Sequence, residues 1–299
     1  MKLALLHFLI AVGSFVVTSC DKVSESRESH HLEDPSSLRI VTMSPSAGEI
    51  AHILGLGNQV VGVSRFTKYP PEFLEKPKIG GYLDVDTEAI IRLDADVVVL
   101  LNEQADLATQ LEKFGMHTLM VDHMSLDGIV ESIRVVGSAF DRSDAAEEAV
   151  ASFVDRVETV RLAAHQGNTP KVLLSIGREM GVGKVNGLIA AGAAGVHQEL
   201  LKVAGFHNAY AGVENFPNVT REHLIRMNPD VIVDMVNGED IEQLGVEAIL
   251  RDWQQYQELD AVRNARVYVL AGDQHYVPGP RLCDTLEWLA HVRQEVARE

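Results

Sequence analysis

Apolar residues in this chain fall into short blocks, with stretches of helical period between them. Arg39 to Met43 reads as a brief buried strand. Ser44-Pro45-Ser46 follows it, and a Ser cap before Pro at the first helical position predicts a helix start. That helix carries Ile50, Ile53 and Leu54 inward and stops at Gly55-Leu56-Gly57. Val60 to Val63 predicts the next strand, and Tyr69-Pro70-Pro71 breaks the chain. Asp96 to Leu101 and His117 to Val121 are further apolar runs. Strand alternating with helix predicts an α/β fold with a mostly parallel sheet. From Ser143 to about Gln166 the pattern becomes one long amphipathic helix without Gly or Pro, capped by Ser143 and ended by Gly167 and Pro170. A second α/β series begins after it, with strands at Lys171 to Ser175, Val231 to Asp234 and Arg266 to Leu270. A last helix starts near Pro280-Arg281 and carries Leu282, Leu286 and Leu289.

The two series repeat each other. Residues 88 to 99 align with 222 to 233 at an offset of 134, with Glu, Ile, Arg, Asp and two Val coinciding. At the same offset Tyr82 meets Phe216, each six residues before its Glu. Two similar lobes joined by one helix leave a cleft, and ligands of open α/β sheets sit at the carboxyl ends of the strands. Tyr82 follows Gly80-Gly81 and Phe216 precedes Pro217, so both are loop aromatics placed to offer a flat apolar face to a ligand.

The first residues are of another kind. Lys2 is followed by an apolar stretch from Leu3 to Val17, short for a membrane span and suited to a secretory signal. It ends in Val17-Thr18-Ser19-Cys20, which resembles a bacterial lipobox and implies cleavage before Cys20 and lipidation of its thiol. Residues 21 to 37 are polar and rich in Ser and Glu, as expected of a flexible tether, and His30-His31 reads as a solvated linker pair. The expected organisation is therefore a signal peptide (1–19), a lipidated tether (20–37), an N-terminal α/β lobe (38–142), a linking helix (143–168) and a C-terminal lobe (169–299). The expected location is extracytoplasmic, in the periplasm or at the cell surface, with a membrane anchor through lipid. The other cysteine, Cys283, is left without a partner and reads as a small buried hydrophobe. The chain of 299 residues is 46% hydrophobic and carries a formal net charge of −17 without a run of basic residues, which excludes nucleic acid as a partner.

Several segments, taken in order, resemble the periplasmic binding proteins for vitamin B12, iron–siderophore complexes and haem. They are Arg39 to Val41, Ser44-Pro45-Ser46 with Glu49, Val61 to Arg65 with Tyr69-Pro70-Pro71, and Gly80-Gly81-Tyr82 with Glu88. They continue with Asp96 to Val99, Val219 to Glu222, Asn228-Pro229-Asp230, Trp253, Val262 to Tyr268 and Pro278 to Arg281. The resemblance implies two Rossmann-like lobes on a rigid helix, acting as the solute-binding component of an ABC importer and, as expected here, a monomer. Its partners would be a permease, that permease's ATPase and a small-molecule metal chelate, cobalamin or a ferric siderophore; the protein would have no cofactor of its own. In such relatives one Glu on each lobe docks onto permease arginines, which places Glu88 and Glu222 in that role. Two separated carboxylates also make physical sense as a two-point electrostatic register.

Candidate ligand residues are Arg65, Tyr69, Tyr82, Arg178, Phe216, His275, Tyr276 and Arg281. Tyr82 and Phe216 match cleft aromatics of the B12 binders. Tyr82 also matches an iron-ligating Tyr of the haem binders, but Leu83-Asp84 follow where those proteins carry a basic residue. Arginines at the cleft would suit an anionic siderophore or a citrate-like chelate. The alternatives are a haem binder and a bare transition-metal binder, the latter drawing on His197, His207, His223 and His275. A chelatase-like enzyme is the remote one. Gly181-Val182-Gly183-Lys184 lacks the Ser or Thr and the glycine spacing of a phosphate loop, and no catalytic motif stands out, so catalysis is not expected.

Overall fold

In chain order the elements are β1 (Ile40–Thr42), α1 (Pro45–Ile53), β2 (Val60–Val63), α2 (Thr87–Arg92), β3 (Val97–Leu101), α3 (Ala105–Glu112), β4 (His117–Val121) and α4 (Leu126–Ala139). Next come α5 (Ser143–Ala164), β5 (Lys171–Glu179), β6 (Asn186–Ala190), α6 (Val196–Val203), β7 (His207–Asn208), α7 (Arg221–Met227) and β8 (Val231–Val236). The chain closes with α8 (Gly238–Trp253), α9 (Asp260–Arg263), β9 (Val267–Ala271) and α10 (Leu282–Arg298). This computed structural model describes residues 37–164 and 168–298. The signal segment, Cys20, His30-His31 and the Gln166-Gly167 helix end lie outside the described residues.

The first sheet runs β2-β1-β3-β4, all parallel. In the second, β5, β8 and β9 are parallel, and the far edge of β5 is shared by parallel β7 and antiparallel β6. The parallel order β7-β5-β8-β9 therefore reproduces β2-β1-β3-β4. Side-chain detail repeats as well. Arg39 N donates to Asp96 at 2.7 Å and Lys171 N to Asp230 at 2.8 Å. Arg39 Nε reaches the carbonyls of Leu93 and Asp94, as Lys171 Nζ reaches those of Met227 and Asn228. Asp94 (φ 48°) and Asn228 (φ 40°) both turn the chain through the left-handed region after their helices.

Local signals explain most element ends. Ser44 accepts from Ala47 N, with Pro45 at the first helical position. Asp86 and Thr220 cap α2 and α7 in the same way. Ser143 is already the first residue of α5; the bond from Ala146 N to the Arg142 carbonyl moves the cap one residue earlier than the sequence predicted.

Helix α5 packs against α4 on one side and α10 and α6 on the other. Ala146, Val150, Phe153, Val157 and Val160 form its buried stripe, at helical spacing. Arg156 ties it to α10 through Asp284 and Glu287, both at 2.6 Å. Cys283 is buried on α10 with its thiol directed at the Phe153 carbonyl, and burial pushes its pKa up to about 12, so it packs as an inert apolar group. Leu126 N, at the start of α4, donates to Glu199 on α6 at 2.7 Å, a further tie between the halves. Among the described residues no helix is long and apolar enough to cross a membrane.

Candidate functional site

A cavity of about 390 Å³ opens between the two sheets, at the carboxyl ends of their strands. That volume lies within the roughly 300–1,000 Å³ range of small-molecule sites. The N-terminal half contributes Pro45, Glu49, Phe66, Lys68 and Tyr69; opposite them are Met180, Asn237, Asp240, Asp273, Tyr276 and Arg281. A smaller apolar recess of about 140 Å³ shares Pro45, Phe66 and Tyr276 with it and extends to Tyr82 and His123. Tyr82 is held there by a tight loop. Gly80 (φ +93°) lies against the backbone of Asp84 to Asp86, where a side chain would not fit, and its carbonyl accepts from Arg65 N.

Two ion pairs cross the cleft. Glu49 on α1 is 1% exposed at its side chain and takes Arg281 Nε at 2.9 Å and Nη2 at 2.6 Å. The same guanidinium lies 3.8 Å from the Tyr69 ring centre, close enough for cation–π attraction. Burial raises the Glu49 pKa, and the hydrogen bond and charge of Arg281 oppose that rise. At the rim Lys68 Nζ meets Asp273 at 3.0 Å.

Beneath the C-terminal wall lies a buried ionic cluster. Arg178 donates to Asp234 at 2.8 Å and to Asp252 at 2.7 Å, with all three side chains out of solvent. Trp253 Nε1 donates to the same Asp234 oxygen, and the Trp253 indole stacks under Arg178. Asp252 also accepts from the backbone N of Gly181 and Gly183, fixing the loop after Met180. Burial alone would lower the Arg178 pKa; the two aspartates outweigh it and leave the pKa raised. Tyr276 is pushed well above an ordinary phenol by burial first and then by Asp234, Asp240 and Asp273. It faces the cavity as a neutral hydroxyl.

Comparison with known proteins decides what this architecture is. A family model described as periplasmic binding protein matches residues 40–273. The chain belongs to the periplasmic binding protein family. It is 29% identical over 262 residues to the ABC transporter substrate-binding lipoprotein YvrC of Bacillus subtilis strain 168, covering 84% of this chain and 78% of that protein. It is 25% identical over 257 residues to the vitamin B12-binding protein of Vibrio cholerae serotype O1, covering 83% and 86%. Among solved structures, the periplasmic haem-binding protein RhuT from Roseiflexus sp. RS-1, in apo form, superposes with a TM-score of 0.73 at 27% identity, covering 87% and 99%. The periplasmic vitamin B12-binding protein BtuF of Vibrio cholerae has a TM-score of 0.74 over 87% and 98%, at 23% identity, a likeness of fold. The two lobes on one long helix expected from the sequence are the architecture these neighbours share.

In this periplasmic binding protein the residues singled out from sequence divide into three groups. Tyr69, Tyr276 and Arg281 line the interlobe cavity, and Tyr82 lines the recess beside it. Arg65 and Phe216 line neither; Arg65 is paired with Asp84 at the rim, and Phe216 is 55% exposed with its ring edge-on to His197 at 6.2 Å. Arg178 and His275 are enclosed by protein groups. Arg178 borders the cavity, but its guanidinium is enclosed by two aspartates. His275 is buried behind the cavity wall with Nδ1 2.9 Å from Thr285 Oγ1, because α10 packs over it. Glu88 and Glu222 stand exposed in the first turns of α2 and α7. The sequence reading did not single out Phe66, Lys68, Asp240 or Asp273. The positions of Phe66 and Asp273 just past β2 and β9 are the signal that could have found them.

Proposed function

We propose that this periplasmic binding protein is the solute-binding component of an ABC importer, capturing a metal chelate in the interlobe cleft. The observation that carries the reading is the aromatic-walled cavity between the lobes. Phe66 and Tyr69 on one side and Tyr276 on the other offer flat apolar surface, with charged groups set among them, as a large chelate with polar edges requires. The likeness to an ABC transporter substrate-binding lipoprotein and to a vitamin B12-binding protein supports transport of a chelate such as cobalamin, with a ferric siderophore the other candidate. The haem-binding protein RhuT keeps haem as the second reading. Among the described residues no group of three or more His, Cys, Asp or Glu converges to hold a bare ion, which favours a ligand that brings its own metal shell.

Glu88 and Glu222 then dock the loaded protein on the permease, and Cys20 carries the lipid that keeps a monomer at the membrane. The chelate leaves unchanged, so the protein turns nothing over. The test is calorimetric titration of the mature chain with cyanocobalamin, haem and a panel of ferric siderophores, one site per chain being expected. Failure of all of them to bind would sink the reading. Glu88→Ala with Glu222→Ala should leave that affinity intact and abolish uptake in cells; lost affinity would instead move these acids into the cleft.

A further inference from the structure

We propose that the cleft selects an electroneutral chelate over anionic ones, and that Glu49 is the residue that sets this preference. The inference rests on the transport reading and names the charge class of its solute.

Arginines at a cleft ordinarily mark an anion site. Here the two arginines of the cavity, Arg178 and Arg281, and Arg65 at the rim are each already paired with a carboxylate. Arg65 is held by Asp84, Arg178 by Asp234 and Asp252, and Arg281 by Glu49. Lys68 is held by Asp273. Asp240 also lines the cavity, and its carboxylate is bonded to the Asn237 amide rather than to a cation. The cavity's lining residues balance three cations, Lys68, Arg178 and Arg281, against three acids, Glu49, Asp240 and Asp273. Asp234 and Asp252 lie just behind and tip the total to the acidic side. The Tyr276 phenol is pushed up by burial first, and Asp234, Asp240 and Asp273 add to that push.

Glu49 is the decisive member. It reaches across from α1 and occupies the Nε–Nη2 edge of Arg281, the edge a ligand carboxylate or phenolate would need. The arrangement is built rather than incidental. Gly279 lies so close that an added Cβ would come within 2.8 Å of Glu49 Oε2, and the Arg281 backbone N also points at that oxygen. Tyr69 covers one face of the guanidinium. An anionic chelate must displace a buried carboxylate or sit beside Asp240, while a neutral, amide-rimmed one meets Asn237, the Tyr276 hydroxyl and the aromatic walls at no charge penalty.

The experiment is calorimetric titration of the mature chain with three probes: cyanocobalamin as the electroneutral chelate, and ferric citrate and haem as anionic ones. The expected result is binding of cyanocobalamin, with affinity changing less than about twofold between low and physiological salt, and anionic chelates weaker by about 100-fold or more. Glu49→Gln keeps the shape and releases Arg281; the affinity ratio of ferric citrate to cyanocobalamin should rise roughly tenfold. Asp240→Asn is the second variant, and should shift the same ratio in the same direction even if Glu49→Gln folds poorly. Wild-type affinity for ferric citrate or haem equal to that for cyanocobalamin would overturn the inference alone. So would an unchanged ratio in both variants. Failure of all three probes would overturn this inference, and failure of the ferric siderophore panel as well would overturn the transport reading with it.

Discussion

Leu100 and Asp234 occupy matching positions in the two lobes, at the offset of the internal repeat, and both are fully buried. Around Leu100 the N-terminal core is apolar, built from Val41, Met43, Ile79, Ile90, Val98 and Leu111. Around Asp234 the C-terminal lobe keeps Arg178, Asp252 and Trp253 in a closed ionic cluster. One strand order thus supports two ways of filling its interior. Their failure modes differ: an apolar core loses packing when trimmed, whereas a buried charge cluster leaves an uncompensated charge when one member is removed. Arg178→Met should therefore be the most damaging single change, lowering stability by about 3–5 kcal/mol in urea unfolding. It should also loosen the Gly181–Gly183 loop that Asp252 holds. A loss under about 1 kcal/mol would mean the cluster is not a closed unit.

Acid should separate the lobes next. Burial lowers the His197 pKa from 6.5 to about 4, and His275 is lowered too, by burial first. Both belong to the C-terminal lobe. The unfolded chain takes up these protons below its own histidine pKa while the folded chain resists. Stability present above pH 6.5 is therefore lost as pH falls toward 4, by about 3 kcal/mol at most for the half-buried His197. Glu49, in the N-terminal lobe, acts in the opposite sense: its raised pKa makes the folded state the better proton acceptor, so acidification relieves its burial. His197→Gln should flatten the loss in a pH series of unfolding midpoints. An unaltered profile would assign the acid sensitivity elsewhere.

Binding probes the lobes through their matched aromatics. Tyr82→Ala and Phe216→Ala should each weaken ligand affinity by about 1–3 kcal/mol if both rings meet the ligand. The structure sharpens this into an order. Tyr82 lines a recess continuous with the main cavity, whereas Phe216 packs edge-on to His197 outside it, so calorimetry should show the larger loss at Tyr82. The reverse order would place the ligand against the C-terminal rim.

What the sequence revealed about this molecule follows the range of its signals. Strands, helix starts and the repeat depend on neighbours within a few residues, so Ser44-Pro45 and the block from Glu88 to Val99 were legible. The site depends on pairs such as Glu49 with Arg281 and Lys68 with Asp273, which meet only when the lobes face each other. An arginine near a cleft looks the same in sequence whether its partner is a ligand or a distant aspartate, so the pairing of Arg178 with Asp234 and Asp252 was not legible. Strand β6 escaped because Asn186 to Ala190 is short and set in a Gly-rich stretch. The burial of His275 was not legible because nothing local announces that α10 will cover its ring.

The smallest effect gives the cleanest matched pair. Asp94 and Asn228 both end a helix in the left-handed region, a conformation that glycine adopts without penalty. Backbone strain alone predicts that glycine stabilises at either position. The side chains differ, however. Asn228 accepts from Asp260 N at 2.9 Å and donates to the Asp260 carboxylate at 2.7 Å, tying the end of α7 to the start of α9. The Asp94 carboxylate stands at the surface, and it is the Asp94 carbonyl that engages Arg39. Asp94→Gly should therefore raise stability by a few tenths up to about 1 kcal/mol, while Asn228→Gly should lower it by about 1 kcal/mol through the lost bonds. Opposite signs in parallel denaturant titrations would show that the duplicated backbone has been adapted by its side chains one lobe at a time. Equal signs would mean that backbone strain governs both turns.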